Sequence, residues 1–297
     1  MRPNGPSSII AACPGIILIY AGRVNWFTDR HCFLLAVLFY GLSTVYSVSL
    51  WRKGFRKDNR VNYLLLLAGF GFHVAAMGLR GFSLQHCPVN NLFEATMFVG
   101  WAMVTAYLVI GLMSRLRFLG AFVSPLLFFL GVFALMPALD PPHGPKPEFA
   151  GAGVSLHAAF ILQAYGAFGL AAVAGLMYLS QEHDLKFHKL RAIISLLPPI
   201  QRLEIISARL LRNGFILLTI GLAIGAMVIR QHKDGSFDDV KVIWSVLVWG
   251  VYLALLVMRW KFDQSGRRFA WGAVGAFAFV LLTFWGTSLL SPLHHHP

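Results

Sequence analysis

His157 opens a long apolar run and His294 follows the last one, and the charge of the intervening loops puts both on one face of a membrane, the non-cytoplasmic one. Two imidazoles presented from one side are what a bis-histidine haem site asks of its axial ligands. A third histidine, His73, sits well inside an apolar run, nearer its outer end. It reads either as a neutral side chain bonded to a neighbouring helix or as a haem ligand on the way through the membrane, since polar groups at such depth are costly unless partnered or functional. Glu94 begins another run on the outer side, where the positive end of a helix dipole favours an acid.

The elements that must position these residues follow from composition. With 57% hydrophobic and 12% charged residues and a mean hydropathy of +0.67, the chain is far from a soluble globular domain. Runs long enough to cross the hydrocarbon as helix recur, and about eight are read: residues 33–51, 61–79, 94–113, 118–139, 156–180, 210–229, 242–258 and 269–290. Their continuous apolarity specifies helices, because barrel strands would alternate in polarity over about ten residues. The fold class is therefore all-α, a polytopic integral membrane helical bundle. Residues 1–32 form an N-terminal segment, signal-like, interfacial or a short extra span, and 33–297 form the membrane domain.

The net charge of +13 is distributed by topology. Arg52, Lys53, Arg56, Lys57 and Arg60 follow the first run, and Arg115 and Arg117 the third. Lys186, Lys189, Arg191, Arg202, Arg209 and Arg212 follow the fifth, and Arg259, Lys261, Arg267 and Arg268 the seventh. Those loops are cytoplasmic by the positive-inside rule, and segments 81–93, 140–155, 230–241 and the tail from Ser291 face outward. This places the C-terminus on the extracytoplasmic side of the membrane. No basic stripe interleaved with aromatics suggests nucleic acid. Cys13, Cys32 and Cys87 are too few and scattered for a disulfide framework or zinc site, and no Cys-x-x-Cys-His attaches haem covalently. Walker A, His-Glu-x-x-His and Gly-x-Ser-x-Gly patterns are absent, so nothing points to a nucleotide-driven transporter, zinc protease or serine hydrolase.

Four stretches carry a family resemblance. Pro88-Val89-Asn90-Asn91-Leu92-Phe93-Glu94-Ala95 resembles the Pro-x-x-Asn-x-Tyr-Glu-Ser segment of the cytochrome c assembly family, the CcsA, HemX and YpjD group. His157 with Tyr165 resembles that family's His…Ser-Tyr-Ala-Ala-Phe opening of a span. Gly214-Phe215, Thr219, Gly221, Gly225 and Ala226 are similar to its Gly-Phe-x-x-x-Thr-x-Gly-x-x-x-Gly-Ala helix. Asp239, Lys241, Trp244 and Trp249, followed by Tyr252 and Arg259, resemble its Asp-Pro-Lys-x-x-Trp-x-x-x-x-Trp block.

The resemblance implies a haem-binding membrane protein of cytochrome c biogenesis, handling or delivering haem b, held non-covalently, at the extracytoplasmic face. Its two outward histidines map to His157 and, with a one-residue gap, to His294; Asp239 is then a loop anchor, and Trp244 and Trp101 aromatic packing. Implied partners are haem, apocytochrome c or a CcsB-like membrane subunit, and the lipid bilayer. As an enzyme the chain is at most part of a haem-ligating cytochrome c synthase complex. It departs from the assembly branch in two places: residues 230–238 hold no tryptophan where that branch has a tryptophan-rich loop, and Val257 stands where the branch has an intramembrane histidine. The alternative is a HemX-like regulator or scaffold of a haem-synthesis enzyme, using the basic segment 181–212.

Overall fold

A computed structural model describes residues 28–52, 60–84, 91–140, 152–186, 200–231, 240–262 and 266–290. Among them run eight α-helices: α1 (Asp29–Arg52), α2 (Arg60–Leu84), α3 (Leu92–Gly111), α4 (Gly120–Ala134), α5 (Ala152–Lys186), α6 (Ile200–Gln231), α7 (Val240–Lys261) and α8 (Arg267–Leu290). The described residues contain no strand. Seven of the helices are long and apolar enough to cross a membrane. The protein is thus an all-helical, multi-pass bundle.

On α1, Phe33, Ala36, Val37, Tyr40, Ser43 and Ser47 are buried, while Leu34, Leu38, Leu42 and Val45 on the other face are exposed. Both faces are apolar, the signature of a helix surrounded by lipid rather than water on its outer side. Its inner face lies between α2 and α4, where a Cβ on Gly69 would stand 2.7 Å from the Tyr40 ring and one on Gly131 would stand 2.5 Å from Val37. The first four helices form one group in this way.

α5 joins that group to the rest. Glycines at 166 and 169 let α3 sit directly on it: a Cβ on Gly166 would lie 2.4 Å from that of Ala102, and one on Gly169 would lie 2.8 Å from the Met103 sulfur. α5 is buried along most of its length, whereas few residues of α6 and α7 are fully buried.

Several boundaries differ from the sequence expectation: α2 ends at Leu84 and α5 runs Ala152–Lys186, each past its apolar run, and two others are informative. α6 starts at Ile200 rather than near residue 210, because Leu203, Ser207 and Leu211 continue its buried seam through a polar segment. The fourth run ends as α-helix at Ala134, and Pro137 starts a separate 3-10 turn, Pro137–Leu139. Pro125 lies inside α4 without ending it.

Candidate functional site

His157 lies near the start of α5, half-buried, with Nδ1 2.7 Å from the carbonyl oxygen of Gly221 on α6. A carbonyl only accepts, so Nδ1 carries the hydrogen and, in the neutral ring, Nε2 keeps its lone pair. The ring rests where α6 has no side chain: a Cβ on Gly225 would fall 2.6 Å from both Cε1 and Nδ1. The same seam continues, with Ile161 over Gly221 and Phe168 over Gly214, and ends where Ser207 Oγ donates to the Ala171 carbonyl at 3.0 Å. The glycines of α6 are therefore seats for α5, and one of them seats the imidazole.

A carbonyl-tethered histidine is what a metal ligand commonly looks like, because the bond fixes tautomer and ring orientation and raises the basicity of the free nitrogen. On those grounds Nε2 of His157 has the form of a metal-donor nitrogen. The second histidine inferred from sequence, His294, and Asp239 lie outside the described residues.

His73 is placed differently. It is 1% exposed; Tyr40 Oη donates to its Nδ1 at 3.0 Å, and its Nε2 donates to the Met97 carbonyl at 3.0 Å. Phe33 stands edge-on at 5.1 Å between ring centroids. Both nitrogens are spent within the protein, tying α1, α2 and α3 together, and neither is left to ligate while those bonds hold. Trp101 is half-buried on α3 against Phe98, and Trp244 on α7 lies 6.0 Å from the Phe279 ring of α8. Among the described residues, none of these four side chains touches another through a hydrogen bond or ring contact.

At the end of the bundle where α3 begins, Arg80 gathers three carboxylates. Its Nε donates to Glu94 at 2.9 Å and Nη1 to Asp29 at 2.8 Å, while Nη2 pairs with Asp140. Asn91 caps α3, accepting from the Glu94 amide while Glu94 accepts from the Asn91 amide, and its Nδ2 donates to Asp140 at 2.8 Å. The guanidinium also lies 5.0 Å above the Phe93 ring. The Asn91-x-Phe93-Glu94 stretch thus works as a lock joining the ends of α1 to α4. Capping of α3 by Glu94 was anticipated from sequence, but Arg80 was missed. The usable signal was three acids, each beside an apolar run on one predicted side, with two arginines, Arg30 and Arg80, at the same level.

Residues 89–295 match the family described as cytochrome C assembly protein. The chain is 24% identical over 262 residues to the cytochrome c biogenesis protein CcsA of Guillardia theta, covering 80% of this chain and 86% of that one. It is 24% identical over 272 residues to the CcsA of Prochlorococcus marinus strain MIT 9303, covering 82% and 86%. Protein HemX of Brevibacillus brevis is similar at 24% identity over 265 residues, 89% of this chain and 96% of that one.

Proposed function

The chain belongs to the cytochrome C assembly protein family, and from that premise we propose that it handles haem at the end of the bundle carrying His157. The observation that carries this reading is the tether of His157 Nδ1 to Gly221, which leaves Nε2 as a donor for iron at a half-buried, membrane-end position. Haem is the cargo, bound non-covalently, and its iron supplies the electrophilic centre that imidazole nitrogens hold. His294 of the C-terminal tail is the second ligand in this reading, Asp239 anchors the loop before α7, and Trp244 and Trp101 provide aromatic packing. The end with His157 faces away from the cytoplasm of a bacterial plasma membrane, in keeping with the lightly basic segments that meet there. From it haem passes to apocytochrome c, directly or through a CcsB-like subunit.

A second reading has two observations in its favour. The HemX relative is matched over nearly its full length, and the segment 230–238 lacks the tryptophans of the assembly branch. In that reading the chain is a scaffold for a haem-synthesis enzyme.

One experiment separates the two. Protein purified from haem-replete cells should give a low-spin bis-imidazole spectrum, reduced minus oxidised, and His157→Ala should weaken it by about tenfold or more. Wild-type protein free of haem, with a partner enzyme retained after both histidines are replaced, would establish the scaffold instead.

A further inference from the structure

α6 carries a second functional face, opposite the seam that holds α5. Arg202, Arg209 and Arg212 are exposed along one side of the helix, and the same side continues upward as Ile216, Ile220 and Met227, also exposed. Successive members are three, four or seven residues apart, so they form one stripe. Among the described residues none of these arginines has an ion-pair partner. Nearby cations do: Arg259 of α7 bonds Glu204 at 2.8 Å, and Arg267 of α8 lies 3.8 Å from Glu182.

The Glu204–Arg259 pair marks the level at which α5 to α8 leave the apolar part of the bundle, beside the basic ends of α7 and α8. From Glu204, Arg209 is displaced by about 7 Å and Arg212 by about 12 Å along the helix, both into the bundle. At their level the neighbouring turns of α5 are Phe168, Leu170 and Ala171, all fully buried. Two guanidiniums one turn apart therefore stand on a lipid-facing helix above the last protein carboxylate. Arginine in hydrocarbon is tolerated when it reaches toward the headgroups or draws an anion to itself.

We propose that Arg209 and Arg212, with Arg202 below them, bind the phosphate of an anionic phospholipid whose acyl chains lie along Ile216 and Ile220. The order along the stripe, guanidinium then aliphatic, is the order in which a lipid presents phosphate and chain. The rise from Arg212 to Ile220, about 12 Å, fits within one leaflet's hydrocarbon of about 15 Å. Two positive charges against one phosphate select a headgroup with net negative charge, because the ammonium of a zwitterionic headgroup is repelled. The site is independent of His157 and of the haem reading.

The test uses full-length protein released from vesicles of equal parts phosphatidylglycerol and phosphatidylcholine with identical chains, and native mass spectrometry of what stays bound. Wild-type protein should retain phosphatidylglycerol over phosphatidylcholine by about tenfold or more. Arg209→Gln/Arg212→Gln should lose that preference, and Arg268→Gln, at the exposed start of α8, should keep it. Equal retention of the two lipids by wild type overturns the proposal whether or not the double variant folds. So does an undiminished preference in a folded double variant, or a retained protein in place of lipid.

Discussion

At the scale of single residues, the position of one imidazole depends on a missing methyl group. A Cβ on Gly225 would stand 2.6 Å from two atoms of the His157 ring, so Gly225→Ala must push the ring off its seat and break the bond to Gly221. Loss of such an orienting contact typically weakens a metal site by about 10–100-fold. We therefore expect Gly225→Ala to lower haem retention, measured by pyridine haemochrome against protein, into the range seen for His157→Ala, with helical content unchanged by circular dichroism. Full haem retention in Gly225→Ala would detach His157 from the cargo. The sequence makes His157 visible, because an imidazole at the start of an apolar run is rare and costly. It does not reveal which glycine seats the ring, since that depends on the register of two helices whose partners are far apart in the chain. Nor does it separate the roles of His73 and His157: both are histidines in apolar runs. Only the hydroxyl of Tyr40 and the carbonyl of Met97 make His73 a structural knot.

At the scale of elements, the ends of four helices depend on one guanidinium. The Glu94 side chain is 0% exposed, so removing Arg80 would take a buried counter-charge from it, while Asp140, 8% exposed, would keep only the longer 3.8 Å approach of Arg30. Breaking a buried pair from one side costs about 3–5 kcal/mol, far more than a surface pair contributes. Arg80→Ala should consequently lower the thermal unfolding midpoint of detergent-solubilised protein sharply. Asn91→Ala, which removes the cap and the bond to Asp140 but leaves the ion pairs, should cost about 1–2 kcal/mol. Equal stability of Arg80→Ala and wild type would mean that the three acids find other partners. Among the described residues, the number, type and order of the helices were legible from apolar run length alone, because the bilayer sets that length. The ends were less so. α6 begins ten residues or so before its apolar run, since an amphipathic turn against α5 stabilises helix as well as lipid does. Residues 118–139 read as one run, although Pro137 cannot continue the hydrogen-bond ladder of α4.

At the scale of the whole molecule, two groups of helices meet through α5, and small residues set how closely. Glycines 166, 169 and 175 were legible as sites of close contact, within or between chains; the structure shows contacts within the chain, to Ala102, Met103 and Ala270. Lipid offers apolar surface as good as any helix, so association here rests on van der Waals fit rather than on expulsion of water. That makes the α3–α5 contact sensitive to a single methyl. A Cβ on Gly166 would meet the Ala102 Cβ at 2.4 Å and backbone atoms of residues 102 and 103 at 3.1 Å, and backbone cannot turn aside as a side chain can. Gly166→Ala should therefore force the helices apart and cost about 1–3 kcal/mol. Gly250 is the control, because a Cβ there would meet nothing within 4 Å. Gly250→Ala should leave stability unchanged or raise it by up to about 1 kcal/mol, as alanine is the better helix former. Unfolding midpoints in the same detergent, read by tryptophan fluorescence, should fall below wild type for Gly166→Ala and at or above it for Gly250→Ala. Were both variants to unfold together at the wild-type midpoint, α3 and α5 would not hold the two groups in the register described.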